Sequence, residues 1–163
     1  MIVVSNTSPL TNLAAIGHFE LLQELFGEVH IAQGVWQELN KGGKRHPGSQ
    51  EVKNASWVHR QEVSDQAIST LLQRDLDLGE AETLALALTL GADLVLLDEQ
   101  EGRHAAIRLG LRPLGVLGIL LKAKRQGYIR EIRPSLDALR RQAGFFLGDR
   151  LYRQILEEAG EKA

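Results

Sequence analysis

Residues 79–98 read GEAETLALALTLGADLVLLD, and this stretch decides the fold. Gly79 to Leu90 is rich in alanine and leucine and almost apolar all round, so it reads as a helix packed on every side. Gly91 suits the residue just past a helix end. Leu94-Val95-Leu96-Leu97 then reads as a buried strand running into Asp98. A deeply packed helix feeding a buried strand is the repeating unit of a parallel α/β sheet.

The same alternation extends in both directions. Toward the N-terminus, Ile2-Val3-Val4 is a β-branched strand, followed by Ser8-Pro9 as a helix start with Ser8 as cap. Short helices are predicted over Phe19–Phe26 and Gly34–Leu39, with a strand at Val29–Ile31 between them. Residues 41–50 read as a flexible loop, Trp57-Val58 as a short strand, and Ser64 as the cap of a helix reaching Leu72. Beyond Asp98 come a helix over Gly102–Leu109, an extended stretch near Leu114, and helices over Leu117–Lys124, Leu136–Ala143 and Asp149–Glu158. The pattern predicts an α/β/α sandwich with a central parallel sheet, whose strand ends line one edge where ligands bind. We expect one domain over residues 1–163, with a core over about 1–125 and C-terminal helices over about 126–160.

Composition narrows the function. The chain has 163 residues and no cysteine, which rules out a disulfide framework and a thiolate zinc site and favours a cytoplasmic location. No apolar run has the length of a membrane span, and Gly91 and Asp93 interrupt the longest. The five histidines lack paired zinc-ligand spacing, and neither a phosphate-binding glycine loop nor a nucleophile elbow is present. Charge is uneven: residues 1–100 carry 6 basic and 14 acidic side chains, residues 101–163 carry 13 and 7, giving −8 and +6 for a net −2. Such a division suits cations in one place and phosphates in another, or simply two solvated helix faces.

Two strands end in a polar residue, Asn6 and Asp98. Glu82 is followed at helical spacing by Ala85, Leu86 and Thr89, so its helix face carries no other charge. Burying a lone carboxylate costs several kcal/mol unless a cation or donor compensates it. Glu38 stands near the end of the helix after the Val29–Ile31 strand. Carboxylates meeting at one edge need a hard divalent cation such as Mg2+ or Mn2+, which activates water and neutralises a reacting phosphate. Glu38, Glu80, Glu82 and Asp98 are therefore candidate metal ligands. Glu80 and Glu82 also suit the positive end of a helix dipole. Two residues apart, they point about 200° away from each other around a helix.

Ile2-Val3-Val4-Ser5-Asn6-Thr7-Ser8-Pro9-Leu10, the Leu21–Glu38 stretch, Gly79-Glu80-Ala81-Glu82 and Leu96-Leu97-Asp98 together resemble the PIN-domain family over about residues 1–125. The resemblance implies Mg2+- or Mn2+-dependent cleavage of single-stranded RNA. It also implies relatives that act as VapC-type toxins held by an antitoxin, and a homodimer or higher homo-oligomer. Its catalytic and metal-binding acids fall on Asn6, Glu38, Glu82 with Glu80 beside it, and Asp98. A further acid falls on Glu99 or Glu101, and a supporting hydroxyl on Ser8. Asn6 departs from the usual aspartate, offering one neutral oxygen in place of a charged carboxylate. That substitution admits an alternative: a catalytically weakened module that binds RNA or protein. Downstream, Arg103, His104, Arg108, Arg112, Lys122, Lys124 and Arg125 form a basic section, with Arg103 and Arg108 as candidates for holding RNA phosphates. With only 8 aromatic residues there are few stacking platforms for bases, and Trp36 and Trp57 read as core.

Overall fold

A computed structural model describes residues 1–43 and 45–163. The strands are β1 (Val3–Ser5), β2 (Val29–Ala32), β3 (Val58–Gln61), β4 (Leu94–Leu96) and β5 (Pro113–Leu114). All pair in parallel, in the order β3-β2-β1-β4-β5. The helices are α1 (Thr7–Ala15), α2 (Leu21–Phe26), α3 (Gln33–Lys41), α4 (Ser49–Asn54), α5 (Gln66–Leu72), α6 (Leu78–Leu90), α7 (Gln100–Arg108), α8 (Val116–Arg125), α9 (Arg133–Arg141) and α10 (Asp149–Glu158).

Alternate strand residues serve opposite layers, as the two-residue period of a strand requires. Val4 and Val95, paired across β1 and β4, enter one apolar core with Leu84, Ala85 and Ala87 of α6 and Ala105 and Ala106 of α7. Val3, Leu96, Val29 and Ile31 enter the other, with Leu10, Leu13, Leu22, Ile119 and Leu120. The chain is the expected α/β/α sandwich. α6 touches β1, β2 and β4 and also α3 and α5, which accounts for its lack of a polar stripe. Pro113 sits on the edge strand β5, where a missing ladder donor is tolerated.

Three local readings are corrected. The first helix starts at Thr7 with Asn6 in the cap position, so Ser8 lies inside it. Asp65, not Ser64, caps α5, accepting from the Ala67 and Ile68 amides. The loop predicted over 41–50 gives way to helix α4 from Ser49; its Lys44 lies outside the described residues. Gly48, at φ 94°, makes the turn into α4 in a backbone region that side chains disfavour.

The sheet order reverses direction at β1 and β4, leaving a crevice beyond their carboxyl ends. Ser5 pairs with Leu96, and the Asn6 amide donates to the Leu96 carbonyl at 2.9 Å, so Asn6 and Asp98 emerge side by side. No described helix is long and apolar enough to cross a membrane.

The C-terminal helices share the larger core: Ile132, Leu136, Leu139, Ile155 and Leu156 pack with Val3 and Leu120. Leu136→Ala should therefore cost about 2–5 kcal/mol, measured by urea unfolding. A loss below about 1 kcal/mol, less than such cavities cost, would show that α9 only leans on the core.

Candidate active site at the β1–β4 crevice

Glu38 comes from α3, and its Oε2 accepts from the Thr7 hydroxyl at 2.8 Å. Thr7 is the first residue of α1 and is buried, so this bond joins the end of β1 to α3. The hydroxyl that reaches an acid is thus Thr7's. Ser8 takes part through its carbonyl, which accepts from Thr11.

Asp98 is gripped from both sides. Its Oδ1 accepts from the Val116 amide at 2.7 Å and its Oδ2 from Asn12 Nδ2 at 3.0 Å. Burial pushes its pKa up, while those two donors and the Arg103 guanidinium act to lower it. Arg103 itself donates to the Leu97 carbonyl at 3.3 Å. It faces the acid at the end of β4, half-buried, and is not extended into solvent.

The two glutamates at the start of α6 part company. Glu82 accepts from the Gly34 amide at 2.7 Å and is 8 % exposed. Gly34 lies in the first turn of α3, whose cap position is Ala32, a residue with no oxygen to offer. Glu82 satisfies that helix start from another element and complements its dipole. A Cβ on residue 34 would stand 2.5 Å from Glu82 Oε1, so a larger residue there would push the carboxylate off the amide. The predicted ligand Glu82 thus has its near oxygen engaged in joining two helices.

Glu80 faces the acids instead and is 5 % exposed. Its pKa is pushed up to about 8, first by burial and then by hydrogen bonding to Glu99 and by the charges of Asp77 and Glu99. Glu99 is the acid beside both Glu80 and Asp98. Glu101 lines a separate groove with Asp75, His104 and Arg108.

Asp77 was not singled out from sequence. It caps α6, its Oδ1 accepting from the Glu80 amide at 2.8 Å. The signal was present, since an Asp three residues before a Glu at a helix start is a capping pattern. The basic section is also partly committed elsewhere: Lys124 pairs with Glu161 at 2.7 Å. Trp57 is core, whereas Trp36 is only partly buried and carries Arg60 over its ring at 4.5 Å.

Buried acids gathered beyond the carboxyl ends of a parallel sheet are the kind of site in which nucleases work. A family model described as a PIN domain matches residues 2–161, and the chain belongs to that family. The match takes in the C-terminal helices as well as the first 125 residues. No curated protein matches the chain. Membership carries nuclease-type function in general terms, and PIN domains typically use divalent metals.

The residues present fit such an ion. Every donor is oxygen, as hard cations prefer. Asn6 is 4 % exposed, and its Oδ1 is buried without a hydrogen-bond partner among the described residues, the condition of an oxygen open to a ligand. Among the described residues no group of three acids or histidines stands close enough to hold an ion.

Two outcomes follow. Glu82→Ala strands the buried Gly34 amide and should cost about 1–3 kcal/mol in urea unfolding; an unchanged midpoint would remove its joining role. Because Glu80 holds its proton more tightly folded than unfolded, its contribution to stability is complete below pH 4.5 and lost as pH rises through about 8. In chelator, Glu80→Gln should flatten the fall in melting temperature over that window; an identical slope in wild type and variant would refute the raised pKa.

Proposed function

We propose that this chain is a divalent-metal-dependent endoribonuclease that cleaves single-stranded RNA at the β1–β4 crevice. The observation that carries the reading is Glu80, a buried carboxyl crowded by Asp77 and Glu99, in the same crevice as a buried Asn6 oxygen without a hydrogen-bond partner among the described residues. Carboxylates so placed are stabilised by a bound cation more readily than by water.

Mg2+ or Mn2+ would be held by the Asn6 oxygen together with one or two of the acids Glu38, Glu80 and Asp98, which among the described residues do not converge as a group of three. When bound, such an ion supplies charge neutralisation at a phosphate and activation of water. The remaining residues position these donors. The Thr7 hydroxyl orients Glu38, and Asn12 with the Val116 amide orients Asp98. Glu82 keeps the start of α3, the helix that carries Glu38, against α6. Arg103, close to Asp98 and half exposed, suits a contact with an RNA phosphate, which gives affinity without sequence selectivity. Arg108, in its separate groove, would contact only RNA that runs beyond the crevice.

The toxin role, with an antitoxin protein as partner, and assembly into a homodimer or higher homo-oligomer extend the proposal from the family's small members. The neutral Asn6 favours a second reading, a weakened module that binds RNA without cutting it.

Purified protein should cut unstructured RNA in Mn2+, and chelator should stop it. Glu38→Gln, Glu80→Gln or Asp98→Asn should each lower the rate by about 100-fold or more, at least the loss seen when groups supporting a metal are removed. Cleavage that persists in chelator would sink the proposal, and tight RNA binding without cleavage would establish the second reading.

A further inference from the structure

Asn6, at the end of β1, brings a buried oxygen to the crevice but no negative charge. We propose that Asp77 supplies that charge, and that a divalent cation is held over Gly79 by the Asn6 side-chain oxygen, Glu38 and Asp77. This inference rests on the metal-dependent reading above and adds a ligand that the sequence motifs do not contain.

Three segments far apart in the chain bring an oxygen to one small volume. A Cβ placed on Gly79 would stand 2.9 Å from Glu38 Oε2, 3.5 Å from Asn6 Oδ1 and 3.6 Å from Asp77 Oδ1. The volume is open only because residue 79 has no side chain. Gly79 has no positive φ, so backbone conformation does not demand glycine here. Within a helix glycine is disfavoured relative to alanine, which leaves the open space as its purpose.

Asn6 points to a ligand independently of the acids. It is nearly fully buried, its oxygen faces this volume, and among the described residues no donor reaches it. A buried carbonyl left bare is unfavourable, and a cation in the cradle removes that cost. Glu38 and Asp77 add two negative charges, with the Lys41 side chain on the wall of the same pocket. Both carboxylates are already oriented, Glu38 by Thr7 and Asp77 by the Glu80 amide, so little side-chain freedom is lost on binding.

Capping alone does not explain the charge at residue 77, because asparagine caps a helix about as well as aspartate. That equivalence makes Asp77→Asn a clean probe: it keeps the cap and removes the charge. Mn2+ alone is titrated into the full chain by calorimetry, with electron paramagnetic resonance of free Mn2+ as a second readout and melting in chelator as a control on folding. Asp77→Asn should weaken Mn2+ binding by about tenfold or more, and Gly79→Ala should weaken it at least as much by filling the cradle. Adding Asn6→Asp to Asp77→Asn should restore most of the affinity. If Asp77→Asn melts differently, Asp77→Ser, also a good cap, takes its place.

Mn2+ affinity unchanged in Asp77→Asn but lost in Glu38→Gln would overturn the role of Asp77 while leaving the nuclease reading intact. No Mn2+ binding by wild type or by Asn6→Asp would overturn both.

Discussion

A carboxylate on one helix and a backbone amide on another hold the working edge of this protein together. Glu82 leaves α6 and closes on the Gly34 amide at the start of α3, 48 residues away in sequence. α3 begins after Ala32 and has no side-chain cap of its own, so its first turn depends on that contact. The bond sets how far α3 slides along α6, and Glu38 stands four residues past Gly34, about one helical turn. Without it, the Thr7–Glu38 bond and the approach of Glu38 to Gly79 would lose their geometric basis.

Around that clamp the crevice balances donors against acids unevenly. Asp98 and Glu38 are each met by hydrogen-bond donors, whereas Glu80 is met by other carboxyls and by burial. The strain is local and sits where the sheet order reverses, the position at which a parallel α/β fold opens a crevice. A folded chain that keeps an unfavourable carboxyl there gives up stability in the metal-free state, a pattern expected of functional sites.

The basic half of the chain is less of a nucleic-acid surface than its charge suggests. Lys124 is paired with Glu161, which also receives the Ile132 and Arg133 amides at the start of α9. Those donors and the Lys124 charge hold Glu161 below the ordinary carboxylate range. Arg140 pairs with Asp149 and lies over the Tyr152 ring. Several of these cations therefore fasten the C-terminal helices to the sandwich, while Arg103 stands beside Asp98 and Lys41 lines the pocket of Glu38 and Asp77.

Much of this was legible from the residues themselves. Strand and helix order followed from hydrophobic period and glycine stops, both local properties, and the parallel sheet followed from their alternation. Asn6 and Asp98 were legible as strand ends. The helix at Ser49 was not, because six polar-rich residues after a glycine- and proline-bearing loop carry too little apolar pattern to announce a helix. Nor could sequence divide the labour of Glu80 and Glu82. Both lie near the start of α6, and their roles depend on what approaches from α3 and from the end of β4. Asp77 and Thr7 carried no signal of a site until the fold brought Gly79 to the one and Glu38 to the other. Local sequence determines which elements form. Which carboxyl meets a donor, which meets another carboxyl and which faces an open cradle is decided only when distant segments pack.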